Sequence, residues 1–235
     1  RDIKFWANEK PINRIIKFLI DRYRLYGLQQ SKGIIVENRD IYERAIKMFP
    51  LKYIEHIPPA FVELDSSSKI NFNREPNTIY GLFLCGWQKN KQYQRIPQII
   101  RSAQARGLHL KIIFTASKDS GTEYNEFMNE LRKQKLTDDV LMLGTVDKSQ
   151  LKDLYSKVDI IFLLSLLESF SNNILEAWNY KVPIIMRNSG WGKSICKGSA
   201  VYVEPQNSDD IANGIRAALE NRKKLIDSGK DMLDE

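Results

Sequence analysis

Two glutamates, Glu168 and Glu176, flank a stretch whose residue types suit a phosphate-bearing ligand. The segment Ser165-Leu-Leu-Glu168-Ser-Phe-Ser171-Asn-Asn-Ile-Leu-Glu176-Ala177 follows an apolar run that ends at about Leu164. A short loop of small and polar residues leads into a helix expected to start near Asn172. The first amides of a helix have no intrahelical partner and point toward the preceding loop. A diphosphate placed there gains hydrogen bonds and a favourable dipole. Carboxylates accept hydrogen bonds from hydroxyls, in which sugars are rich. One loop and helix can therefore hold phosphate with backbone and two sugar rings with side chains. The plainer alternative makes Glu168 a charge complementing the helix dipole and Glu176 an exposed helix residue.

The elements that position this unit follow from periodicity. Apolar runs at Ile79–Leu84, Leu110–Phe114, Val140–Leu143, Val158–Leu164, Val182–Met186 and Ala200–Val203 read as strands. Helical patterns lie between them near 93–106, 123–135, 149–156, 172–180 and 209–220. Strands alternating with helices predict βαβ units and a parallel sheet, an α/β fold with its ligand site at the carboxyl ends of the strands. Upstream, residues 11–26 predict an amphipathic helix with Pro11 in its first turn and Gly27 as its stop. Gly33 to Glu37 reads as a strand, Asp40 to Phe49 as a helix and Tyr53 to Ile57 as a second short strand. The polar, turn-rich residues 60–78, with Ser66-Ser67-Ser68, read as a linker.

The ordered segments around the glutamates resemble those of a known family. Gly144-Thr-Val146, Leu151 to Tyr155, Val158-Asp-Ile-Ile161, Val182-Pro-Ile-Ile185 and Val201-Tyr-Val-Glu-Pro205 with Asp209-Asp-Ile-Ala212 occur in the order seen in group-1 transferases of glycosyltransferase family four. These are retaining enzymes of the GT-B architecture, built from two Rossmann-like domains, and Glu168 and Glu176 have the spacing of their E-x7-E motif. The resemblance runs from about Ile79 to Leu219, and more weakly from Gly33 to Pro58. It implies that residues 1–58 are the tail of the N-terminal acceptor-side domain. Residues 59–235 would be the C-terminal domain that binds the nucleotide sugar. It also implies that Glu168 contacts donor-sugar hydroxyls and Glu176 the nucleotide ribose. Amides near Ser169, Phe170, Ser171 and Asn172 would hold the diphosphate.

The family's first strand ends in Gly, then Arg and, a few residues on, Lys, and both cations meet the diphosphate. Here the text is Cys85-Gly86-Trp87-Gln88-Lys89-Asn90-Lys91. Trp87 stands at the Arg position. Lys89 matches the family's Lys best, with Lys91 as competitor, and a cation there stabilises the leaving group. Other departures are Ser169 and Ser171 where the family has glycines, Thr115 to Gly121 in place of a glycine-rich turn, Lys181 in place of Gly, and no acidic residue near Ser194. Gly190-Trp-Gly-Lys193 lacks the spacing of a phosphate loop and reads as a loop near the site. Trp87, Trp178 and Trp191 are candidates for stacking on a base or sugar, Trp178 the most core-like of them.

Composition narrows the remaining choices. Cys85 and Cys196 lie far apart, which suits two buried thiols in a reducing cytoplasm, and with His56 and His109 they cannot build a zinc cluster. No metal is expected. The donor expected as substrate is a UDP- or GDP-sugar, and the acceptor a glycan or lipid-linked molecule. No apolar stretch reaches the roughly 18 residues of a membrane span. The net charge of +7 suits an anionic partner, and Arg14, Lys17, Arg22 and Arg24 share one segment. Phe5 to Tyr26 is then packed core with surface charge, or a helix lying on the inner face of a membrane. No motif supports nucleic-acid binding beyond charge itself. The start, Arg1-Asp-Ile-Lys4, has neither initiator Met nor signal pattern and reads as cut from a longer protein. A sugar-nucleotide epimerase of similar architecture and a non-catalytic nucleotide-sugar-binding fragment are the competing readings.

Overall fold

The computed structural model describes residues 11–50, 52–61 and 68–234. The chain divides into two compact units, Arg1–Pro58 and Pro59–Glu235. The readings placed on Arg1 to Lys4, on the start of the Phe5–Tyr26 segment and on Ser66 and Ser67 lie outside the described residues.

In the first unit, helix α1 (Pro11–Gln30) runs through Gly27, so that glycine is not its stop. Strand β1 (Gly33–Val36), helix α2 (Arg39–Met48) and strand β2 (Tyr53–His56) form a right-sized βαβ step. The two strands pair in parallel, Gly33 opposite Tyr53. Asn38 caps α2, its side-chain oxygen accepting from the Asp40 amide at 2.7 Å. None of the residues of α1 is buried, and Ile12, Ile15, Leu19 and Tyr23 all stand more than half exposed.

In the second unit, strands β3 (Ile79–Phe83), β4 (Leu110–Phe114), β5 (Val140–Met142), β6 (Ile160–Leu163), β7 (Ile184–Arg187) and β8 (Ala200–Val203) form one sheet in the order β5-β4-β3-β6-β7-β8. Every neighbouring pair is parallel. Helices α3 (Ile96–Gln104), α4 (Thr122–Lys133), α5 (Leu151–Ser156), α6 (Asn172–Asn179), α7 (Gly190–Cys196), α8 (Ser208–Glu220) and α9 (Arg222–Asp234) lie between and after the strands. Counted from β3 the order is that of a Rossmann sheet, and it reverses between β3 and β6.

Both faces of this sheet are covered, which is why its strands are apolar throughout rather than alternating. On one face Phe83, Ile112, Phe114, Ile160, Phe162, Ile185 and Val203 pack with residues of α3, α4 and α8. On the other, Tyr80, Leu82, Ile113, Ile161, Leu163, Ile184 and Met186 pack with residues of α5, α6 and α7. Gly81 in β3 permits a close approach, since a Cβ there would lie 2.6 Å from the Phe162 ring.

Three expectations are corrected. The described residues of the linker expected over 60–78 are tied to the second unit. The Ile70 amide donates to Asp153 at 2.7 Å, Arg74 pairs with Asp159 at 2.7 Å, and Phe61 meets the Tyr180 ring edge-on. Turn-rich composition says nothing of these partners, which lie far along the chain. Gly190 to Lys193 is not a loop but the start of α7, because the Ser189 hydroxyl caps it by accepting from the Gly192 amide. Trp191 is consequently core, 3% exposed, and Trp178 is buried likewise.

Candidate functional site at the strand-order reversal

The reversal between β3 and β6 opens a crevice at their carboxyl ends, because the connections leaving the two strands run to opposite faces of the sheet. The loop after β3 folds into a short 3-10 turn, Lys89–Lys91, and turns again through Gln92, which sits in the left-handed region at φ 61°. The loop after β6 descends to Ser171 and into α6. Hydrogen bonds fasten the two loops together. The Leu166 amide donates to the Asn90 carbonyl at 2.9 Å, and Asn90 Nδ2 to the Leu167 carbonyl at 3.2 Å. Asn173 Nδ2, in the first turn of α6, donates to the Leu84 carbonyl at 2.8 Å and ties the helix start to the exit of β3.

Across this joint Lys91 Nζ meets Glu168 Oε1 at 2.6 Å, both side chains being largely shielded from solvent. Lys89, the better match in the sequence, is exposed instead. The 3-10 turn and the left-handed Gln92 decide which lysine faces the crevice. Beneath the pair, burial pushes the Cys85 thiol up to about 12, so it stays protonated and unreactive at neutral pH. A Cβ at Gly86 would meet only the flexible Gln88 side chain, which leaves room above the backbone there.

Helix α6 begins at Asn172, as expected, with Ser171 as N-cap and no capping bond from the serine side chain. Ser171 is buried and Phe170 packs against the core under α6, so the loop backbone is held firmly beside the first amides of the helix. Ser169 lies between Glu168 and Phe170 in the same loop. Glu176 is not on a solvated helix face. Its Oε2 accepts from the Tyr155 hydroxyl at 3.0 Å, and the Tyr155 ring stacks on Tyr180 at 5.1 Å. Burial raises the Glu176 carboxyl above the ordinary carboxylate range, partly offset by that hydroxyl and by Lys148. Glu176 lines a cavity of about 240 Å³ with Phe61, Lys148, Leu151, Asn172 and Tyr180.

A second cavity, of about 510 Å³, lies over the exits of β3, β4 and β5, where Gly86, Trp87, Thr115, Ser117 and Thr145 line it. Trp87 is an anchor of this wall. Its Nε1 donates to the Ser117 carbonyl at 2.7 Å, and its ring meets Tyr93, Phe114 and Phe127 edge-on. The structure thus brings Glu168, Lys91, Gly86 and the residues 169–172 to one crevice, with Glu176 one helical turn inside it. Tyr155, Tyr180, Asn90 and Asn173 were not singled out in the sequence as site residues. Only the amide side chains beside two strand exits could have flagged the last two.

Comparison with known proteins agrees with this geometry. The sequence model of the family described as Glycosyl transferases group 1 matches residues 71–232. An uncharacterized glycosyltransferase of Methanocaldococcus jannaschii, MJ1607, is 26% identical over 182 residues, which cover 72% of this chain and 45% of that protein. Among solved structures, a sucrose-phosphate synthase from Thermosynechococcus elongatus superposes with a TM-score of 0.73 at 18% identity, over 100% of this chain and 58% of the other. The pneumococcal O-GlcNAc transferase GtfA, in complex with UDP and GlcNAc, gives a TM-score of 0.64 at 17% identity, over 90% and 45%. The chain thus spans about half the length of the relatives it matches, and the solved structures share its α/β fold. The protein belongs to the group 1 glycosyl transferases.

Proposed function

We propose that the protein binds a nucleotide sugar, UDP- or GDP-linked, at the crevice between β3 and β6. It would transfer the sugar to a hydroxyl of a glycan or lipid-linked acceptor with retention at the anomeric carbon. One observation carries the reading: the Lys91–Glu168 pair and the half-buried Glu176 stand on either side of the start of α6. In this reading Glu176 accepts from the ribose hydroxyls, the amides of Ser169, Phe170, Ser171 and Asn172 hold the diphosphate, and Glu168 accepts from the sugar. Lys91 exchanges Glu168 for phosphate oxygen and stabilises the charge that grows there as the bond to the anomeric carbon breaks. Lys89 is the second cation available to the leaving group. Residues 1–58 would be the tail of the acceptor-side domain. UDP accompanies the sugar in the GtfA complex named above, and in a structure of Anabaena HepE that holds UDP and glucose.

A cytoplasmic location follows from the same reading, with the free thiols Cys85 and Cys196 in keeping with it. Contact with the inner membrane face would run through the apolar side of α1 and its basic residues. Helix amides and lysines neutralise the diphosphate, so binding is expected to need no divalent metal.

Calorimetry with UDP, GDP and their sugar conjugates, with and without chelator, tests this reading. Glu176→Gln should weaken nucleotide and nucleotide sugar alike by roughly tenfold or more, since a hydrogen bond to a charged group is worth about 1.5–3 kcal/mol. Glu168→Gln should weaken the nucleotide sugar and leave the bare diphosphate almost untouched. Equal effects of both substitutions on both ligands, or binding abolished by chelator, would overturn the assignment.

A further inference from the structure

Arg187 closes β7 and has no role in the site as described so far. Its Nη1 is shut off from solvent and has no hydrogen-bond partner among the described residues. A guanidinium is always charged, and burying one of its donors unmet is costly. A ligand is one source of the missing acceptor.

Strand register places Arg187 beside the crevice. Leu163 pairs with Met186, so Arg187 lies next to Leu164, where the Glu168 loop begins. Leu82 pairs with Ile161, which puts Cys85 on the other side of Leu164 in the same row. Adjacent strands are about 4.8 Å apart, so two strand spacings, roughly 10 Å, separate the Arg187 and Cys85 backbones. Cys85 is the residue that feels both Lys91 and Glu168. The exit of β6, from which the Glu168 loop leaves, thus lies between the exit of β3, which leads to Lys91, and Arg187 at the exit of β7.

Alternation along the strand fixes the face as well. Ile185, Leu164, Val203 and Cys85 all belong to the core packed under α3 and α8. Arg187, two residues after Ile185, leaves the sheet on that face. Helix α6 and Glu176 lie on the opposite face, with Ile174, Leu175 and Tyr155. Arg187 therefore leaves the sheet on the face opposite Glu176, one strand beyond the loop that carries Glu168.

We propose that Arg187 is an anion-binding residue at the sugar end of the site, and that the substrate carries a carboxylate or phosphate there. This rests on the nucleotide-sugar reading above, with Glu168 facing the sugar. The anion has two sources, a uronic acid as the transferred sugar or a phosphorylated acceptor. A guanidinium fork suits either, because both present two coplanar or neighbouring oxygens.

The test measures binding by wild type, Arg187→Met and Arg187→Lys. The ligands are whichever of UDP and GDP binds, its neutral-sugar and uronic-acid conjugates, and glycerol 3-phosphate added to the nucleotide-bound protein. Arg187→Met should leave the bare nucleotide and the neutral conjugate within about twofold. It should cost tenfold or more on one acidic ligand: the uronic conjugate if the donor is acidic, glycerol 3-phosphate if the acceptor is. Arg187→Lys should recover part of that loss. Melting in the absence of ligand gives an independent readout, since Arg187→Met removes a buried donor that has no partner among the described residues and should not lower the melting temperature. A loss shared equally by the bare nucleotide would assign Arg187 to the diphosphate and overturn the proposal. So would no loss on either acidic ligand, or a lowered melting temperature with unchanged binding. If wild type binds neither UDP nor GDP, the functional reading fails as well; if wild type binds and Arg187 does not matter, only this inference fails.

Discussion

The two units use the same βαβ step with opposite results. In the second, Ile112, Ile113, Ile160, Ile161, Ile184 and Ile185 are fully buried between helices on both faces of the sheet. In the first, β1 and β2 pair just as regularly, yet Ile35 and Tyr53 are each about two-thirds exposed and α1 buries none of its residues. Parallel pairing alone does not make a stable frame; the cover on both faces does. The Lys91–Glu168 pair sits on the covered second unit, where a proposed site can be held rigidly.

Hydrogen exchange should show the largest contrast. Amides of β3, β4, β6 and β7 should open only on global unfolding, and those of β1 and β2 on the order of 1,000-fold faster. Comparable protection in the two units would break the comparison. Next, Ile161→Ala should cost about 2–5 kcal/mol in denaturant titration, whereas Ile35→Ala should stay within about 0.5 kcal/mol. A substantial cost at Ile35 would show that its face is covered.

Smaller effects probe the second unit from within. Lys181 is held at φ 61°, in the left-handed region that disfavours a side chain. Lys181→Gly should therefore stabilise the protein by about 1 kcal/mol in the same titration. The smallest effect concerns Glu176, whose carboxyl is raised by burial. Its unfolded value is about 4.3, so the fold favours the neutral form. That contribution is fully present below about pH 4.3 and is lost as pH rises through the higher folded value. Glu176→Gln should thus melt like wild type at about pH 4 and above it at neutral pH, although it binds nucleotide more weakly. A variant less stable at neutral pH would mean that the Tyr155 hydrogen bond outweighs desolvation.

Much of the second unit was legible because its strands are apolar on both faces and alternate regularly with helical patterns. Each of the six strands fell within a few residues of its expected place, and α6 begins at Asn172. What escaped depended on partners distant in sequence. The turn-rich residues before Thr78 read as linker because Asp153 and Asp159, which hold them, lie far along the chain. Trp191 looked available for stacking because the Ser189 cap that starts α7 left no signal in the glycine-rich text. The sequence favoured Lys89 over Lys91, whereas a 3-10 turn and one left-handed glutamine bring Lys91 to Glu168. Arg187 closes a strand that was expected to end at Met186.

The bond between Lys91 and Glu168 has a consequence for how a ligand arrives. The paired lysine and glutamate present a closed dipole rather than a bare cation, so their field falls off faster than that of a single charge. A diphosphate approaching from bulk solvent gains little guidance from it until the two are in contact, when the lysine changes partners. Added salt should then slow association only weakly, even though the chain as a whole carries a net charge of +7. On the proposed reading, releasing Glu168 from the lysine would free its oxygens as the phosphate takes over, so capture of one end of the ligand would prepare the site for the other.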